Sequence, residues 1–145
     1  MKVKKRKAMA IAALAAALAL AICGCGGSGS SLPEDGVYTG VSSEDDKGAY
    51  GEATITIEGG RITDCAFVTW QKDGSIKDEE YGKVNGEISS QDFYDKAQLA
   101  VVAMGQYADA LVEKQSPDDV DAITGATIAH GQFLEAVADA LDGER

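Results

Sequence analysis

Apolar residues run without a break from Ala8 to Ile22, behind five basic residues in Met1–Lys7. Fifteen apolar positions are too few for a comfortable membrane span and fit the hydrophobic segment of an export signal. Farther on, the pattern becomes periodic. Val37–Val41 reads as a strand, with aromatic and β-branched content. Ala53-Thr54-Ile55-Thr56-Ile57 alternates with a period of two, so Ala53, Ile55 and Ile57 share a face. Gly59-Gly60 and the β-rich run Arg61–Trp70 complete a hairpin signal. Asp73-Gly74 marks the next turn, and the polar stretch Asp78–Gly86 reads as an ordered loop.

The period then changes to that of a helix. Phe93, Ala97, Val101, Met104, Ala108 and Leu111 recur at spacings of three and four, which places them on one stripe. Ser89 with Asp92 resembles a capping arrangement at the start, and Pro117 closes the segment. Gly105 inside this helix predicts close packing or a local break. Val120–Ile123 reads as a short strand. A last helix over His130–Leu141 sets Phe133, Val137 and Leu141 on one face, with Leu134 and Ala140 beside them. Strands first and helices after predict an α+β fold, a small antiparallel sheet with a long helix and a C-terminal helix packed on it.

Composition refines this picture at the N-terminus. Ile22-Cys23-Gly24-Cys25 resembles a bacterial lipobox, and Cys25, preceded by a small residue, is the better candidate for lipidation. Residues 1–24 then read as a lipoprotein signal peptide. Residues 25–34 would be the lipidated cysteine and a flexible GGSGSS tether, with one domain over 35–145. Of 13 basic residues, cleavage removes the five of the leader, leaving eight against 24 acidic, formally −16. So acidic a domain excludes nucleic acid or anionic lipid as a partner of its surface charge. Its hold on the membrane falls to the lipid anchor, and its expected place is the extracytoplasmic face of the cell membrane.

The cysteines give no disulfide framework, because Cys65 is alone once Cys23 and Cys25 are accounted for. Its apolar strand context predicts a buried structural thiol. One histidine and no CxxC give no support for a metal or haem site. The adjacent carboxylates Glu44-Asp45-Asp46 read as a solvated loop.

The chemistry-bearing stretch is Asp121-Ala122-Ile123-Thr124-Gly125-Ala126-Thr127. It joins an apolar extended segment to a helix through small and hydroxyl-bearing residues. Glycine permits a close approach or positive φ, and a helix N-terminus offers free N–H groups that suit a phosphate. The bare structural alternative is an ordinary turn with Thr124 or Thr127 as N-cap.

This stretch resembles the D-x-x-[ST]-G-A-[ST] flavinylation motif of the FMN-binding domain family. That family includes the flavin subunits of the Rnf electron-transport complex and of sodium-translocating NADH:quinone reductase. The resemblance implies FMN joined through its phosphate to the Thr127 hydroxyl by a flavin transferase. Asp121 would then belong to the recognition sequence, Thr124 to the motif's hydroxyl position, and Gly125 and Ala126 to the phosphate approach. This chain has Ala129 where many members carry Ser or Thr, and His130 is the candidate replacement donor.

The opening Asp35-Gly36-Val37-Tyr38-Thr39-Gly40 and the segment Lys77–Lys83 are similar to a subset of small lipoproteins in that family. For the isoalloxazine wall the candidates are Tyr81, beside Gly82 in a loop able to approach a ring, then Trp70, and more weakly Tyr107. No residue needs to act as a catalytic acid or nucleophile on a substrate, since FMN carries the redox chemistry. The implied function is electron transfer from a membrane donor to an extracytoplasmic acceptor. The rivals are a flavin-free binding or adhesion module and the flavin subunit of a larger reductase.

Overall fold

The structure, a computed structural model, describes residues 31–142. The expected signal peptide, Cys25 and most of the tether lie outside the described residues. Among the described residues, no helix is long and apolar enough to cross a membrane.

Three strands, β1 (Gly36–Val41), β2 (Tyr50–Glu58) and β3 (Arg61–Trp70), form an antiparallel sheet in the order β1-β2-β3. Two helices follow, α1 (Gln91–Lys114) and α2 (Thr127–Asp142), with a 3-10 turn at Pro117–Asp119 between them. α1 packs on β3, and α2 packs on β1 and β2. This is the two-layer α+β arrangement the hydropathy pattern predicts.

The core lies between the layers. Ala53, Ile55 and Ile57 from β2 meet Leu111, Phe133 and Val137 from the helices, all fully or almost fully buried. Gly59 and Gly60 both take positive φ, 61° and 72°, as a two-residue hairpin turn of primed type requires. Both carboxylate oxygens of Asp35 accept from this turn, from Gly59 N at 2.8 Å and Gly60 N at 3.0 Å. The first residue of the opening motif therefore fastens the entry of β1 to the far end of the hairpin. Its last residue, Gly40, lets α2 lie directly on the strand: a Cβ there would collide with Ala140 N and Ala136 O.

α1 begins one residue later than the capping pattern suggests, with Ser90 Oγ accepting from Phe93 N at 3.4 Å. Of the predicted stripe, Ala97, Met104, Ala108 and Leu111 are buried and Val101 is half-buried, but Phe93 is 54% exposed. Ala103 and Tyr107 are buried instead, because the contact face broadens where β3 and α2 both press on the helix. The helix runs through Gly105 unbroken, and nothing lies within 4 Å of where its Cβ would be. Neither the predicted break nor the close packing occurs there.

At its C-terminus, Gln115 enters the left-handed region at φ 65°. Its side chain accepts from Ile62 N at 2.9 Å and donates to Ile62 O at 2.8 Å, joining the helix end to β3.

Val120–Ile123 is not a strand. Its backbone polar groups are taken by helix side chains: Ile123 N donates to Tyr107 Oη at 2.9 Å, and Val120 O lies 2.6 Å from His130 Nε2. α2 starts three residues earlier than its apolar periodicity indicates, so Thr127 is its first residue.

Candidate functional site

The turn Thr124-Gly125 leads into α2 with Gly125 at φ 86°, a conformation that favours glycine. A Cβ there would also meet Leu99 Cδ2 at 2.7 Å. The turn is closed by Ala126 N donating to Ile123 O at 2.9 Å, and the first intrahelical bond runs from His130 N to Ala126 O at 3.0 Å. Between these two bonds, the N–H groups of Thr127, Ile128 and Ala129 meet no protein acceptor among the described residues. Nor does the exposed Thr127 hydroxyl have a partner among them. Three free donors and one hydroxyl at the positive end of a 16-residue helix form an anion site by construction.

Tyr107 holds this turn from below. Its ring is buried between Phe133 and His130, with centroids 5.7 and 5.2 Å away. Its hydroxyl donates to Ala126 O at 3.1 Å while accepting from Ile123 N. Tyr107 therefore supports the motif from the core and is not an exposed wall for a ring. His130 belongs to the same support: Nε2 lies 2.6 Å from Val120 O, and the residue does not line the cavity beside Thr127. Asp121 sits on the surface, its side chain 96% exposed and 3.8 Å from Lys114 Nζ.

Thr127, Gly125 and Ala126 line a cavity of about 310 Å³, within the size range of small-ligand sites. Its floor is Met104 and Thr69, joined by a hydrogen bond from Thr69 Oγ1 to Met104 Sδ at 3.0 Å. Across from the motif stands Tyr81, fixed because Gln98 Nε2 on α1 donates to Tyr81 O at 2.9 Å and to Asp78 O at 3.0 Å. Gly82, at φ 97°, lets this loop lie against α1, where a Cβ would meet Ala97 Cβ at 2.7 Å.

The structure thus brings together Gly125, Ala126, Thr127 and Tyr81. Trp70 is not among the residues of that cavity. Side chains alternate along β3, so Thr69 faces the helices and Trp70 the other side. Trp70 lines a larger open cleft of about 1050 Å³, and its buried Nε1 has no partner among the described residues.

Sequence reasoning misses Asp45, Lys47, Lys77 and Thr69, all of which line the motif cavity. The sequence reads Asp45 as solvated, yet its Oδ1 accepts from Lys47 N and Ala49 N, both at 2.9 Å. Partial burial pushes this carboxyl up, but those donors and the charges of Lys77 and Lys47 outweigh it, leaving it below the usual aspartate value. The ammonium of Lys77 lies over the Tyr81 ring, 5.1 Å from its centroid. Burial lowers its pKa, and the charge of Asp45 opposes that shift. Burial, then Asp45, raises the Tyr81 phenol. The alternation in β3 is the one signal that points to Thr69. Nothing local in the sequence announces Asp45 or Lys77, which meet the motif only through the fold.

A free helix N-terminus at a small cavity lined by a fixed aromatic residue and a cation suits an anionic planar ligand. The chain matches the model of the FMN-binding domain over residues 48–142, and it belongs to that family. FMN is accordingly the cofactor of this module. The crystal structure of the CPE2226 protein from Clostridium perfringens is similar, with 26% identity and a TM-score of 0.59. The likeness covers 75% of this chain and 86% of that one. A Clostridium thermocellum protein known from solution NMR matches at 25% identity over 78% of this chain and 93% of its own. Its TM-score of 0.46 is too low to bear on the fold in detail. No curated protein matches the chain.

The residues present fit FMN. The unpaired N–H groups at the start of α2 suit its phosphate, and Tyr81 borders the space beside them. When bound, FMN supplies reversible one- or two-electron chemistry. The chain's own part would be to hold the phosphate at the start of α2 and to border the ring with Tyr81.

Proposed function

We propose that this protein is a membrane-anchored, extracytoplasmic flavoprotein whose FMN is esterified to Thr127 and relays electrons from a membrane donor to an external acceptor. The observation that carries the covalent part is the free hydroxyl of Thr127 beside the unpaired N–H groups of Thr127, Ile128 and Ala129. An acceptor must be reachable by a modifying enzyme, and Thr127 is exposed. Asp121, the outermost member of the motif, is almost fully exposed, as a residue read by a flavin transferase has to be. The anchored location rests on the basic leader, the apolar run and Cys25. A covalent tether suits that location, where a dissociated FMN is not readily replaced.

The test is the intact mass of the full chain produced with an active flavin transferase, beside Thr127→Ala. A gain of one FMN less one water, absent from the variant, is the expected result. An unmodified wild-type mass, with the transferase active on a known acceptor, overturns the covalent reading.

A further inference from the structure

The cavity at Thr127 and the larger cleft share Lys47, Lys77 and Tyr81, whereas Thr127 borders only the smaller space. Lys77 therefore stands where the two spaces meet. It is held in place. Its backbone N–H donates to Thr69 O at 2.9 Å, extending the edge of β3, and its ammonium lies over the Tyr81 ring. The charge of Asp45 acts on it across the same cavity. Asp45 is itself fixed by two backbone donors, on a loop closed by Asp45 N donating to Ala49 O at 2.7 Å. A cation whose main chain is bonded to β3 and an anion whose carboxylate accepts two backbone N–H groups thus border the cavity at Thr127, into which a ring tethered there would extend.

We propose that Lys77 and Asp45 form an opposed pair that sets the redox potential of the flavin, Lys77 raising it and Asp45 lowering it. This rests on the reading that Thr127 carries FMN. An isoalloxazine that takes up two electrons with one proton gains one negative charge; the electrons come from the membrane donor and the proton from water. A fixed ammonium beside the ring stabilises that charge and a fixed carboxylate destabilises it, most strongly where water is partly excluded. Lys77 is a positioning and tuning residue, not a proton donor in this scheme.

The experiment is a potentiometric titration of the flavin absorbance of the full flavinylated chain, with Lys77→Met, Lys77→Arg and Asp45→Asn. Asp45→Asn retains Oδ1, which accepts both backbone bonds, so it removes the charge and leaves the loop closed. Expected is a fall of about tenfold in the reduced-to-oxidised ratio at fixed potential for Lys77→Met, equal to about 30 mV for a two-electron couple. Lys77→Arg stays near wild type, and Asp45→Asn shifts the opposite way from Lys77→Met.

Flavinylated Lys77→Met with an unshifted potential overturns the proposal, as do shifts of one sign in both charge-removing variants. If Lys77→Met fails to load flavin while Lys77→Arg loads it, Lys77 serves attachment, and the proposal is wrong. A changed 31P resonance with an unchanged potential likewise assigns Lys77 to the phosphate and overturns it. A wild-type chain without flavin would instead strike at the acceptor reading itself.

Discussion

Tyr107→Phe isolates what holds the flavin motif in shape. The substitution keeps the ring and its packing against Phe133 and His130, and deletes only an oxygen that makes two hydrogen bonds. Ala126 O, which accepts one of them, keeps its second bond, from His130 N at 3.0 Å. Ile123, whose N–H gives the other, is half-buried. The group left without a partner is the half-buried Ile123 N–H, so the variant should lose about 1 kcal/mol, the low end for an unsatisfied buried group.

For a domain of roughly 100 residues, that is about 4 °C in Tm. The loss falls on the two residues that frame Thr124-Gly125, so the turn loosens before the sheet does. The assays are thermal unfolding and the rate of flavin incorporation, followed by in-gel fluorescence with transferase in excess. Both should fall. A Tm within about 2 °C of wild type would show that these two bonds do not support the turn. A lowered Tm with an unchanged incorporation rate would show that the turn does not need them for modification.

Gly40→Ala drives a methyl into the α2 backbone at Ala136 and Ala140, and should cost about 3 kcal/mol, the upper end for overpacking. A urea midpoint unchanged at equal m would contradict that close approach. Burial first, then the charges of Asp64 and Asp109, pushes the Cys65 thiol up to about 12. The folded chain should therefore resist alkylation at pH 8 and react on unfolding; as pH rises above the ordinary value of 9.0, stability falls, because only the unfolded thiol ionises. Rapid labelling of the folded chain would refute this. Asp35 is held below the ordinary aspartate value of 3.8 by Gly60 N–H and Gly59 N–H. Its contribution is present above 3.8 and lost as pH falls through the lower folded value. Asp35→Asn should flatten the acid limb of the stability curve, and a limb identical to wild type would remove Asp35 from that account.

The sequence alone determined the elements whose pattern is local. Period-two alternation in β2, the Gly59-Gly60 turn and the apolar repeat of α2 each follow from which side chains must leave water, and together they specify α+β. The motif was legible too, because its glycine and small residues are required by backbone geometry within a few positions. Tertiary structure decided the rest. Val120–Ile123 carries strand-like residues, but its backbone bonds go to Tyr107 and His130. Phe93 fits the helical stripe yet stays exposed, because the packed face of α1 lies farther along the helix. Asp45 reads as a solvated charge and Lys77 as part of a polar segment, since nothing within a few residues of either encodes the other's position. Only the fold, by laying the loop after β1 and the edge strand's continuation against the start of α2, makes them walls of one cavity. Periodicity records which face is buried; it does not record which distant residues share a space.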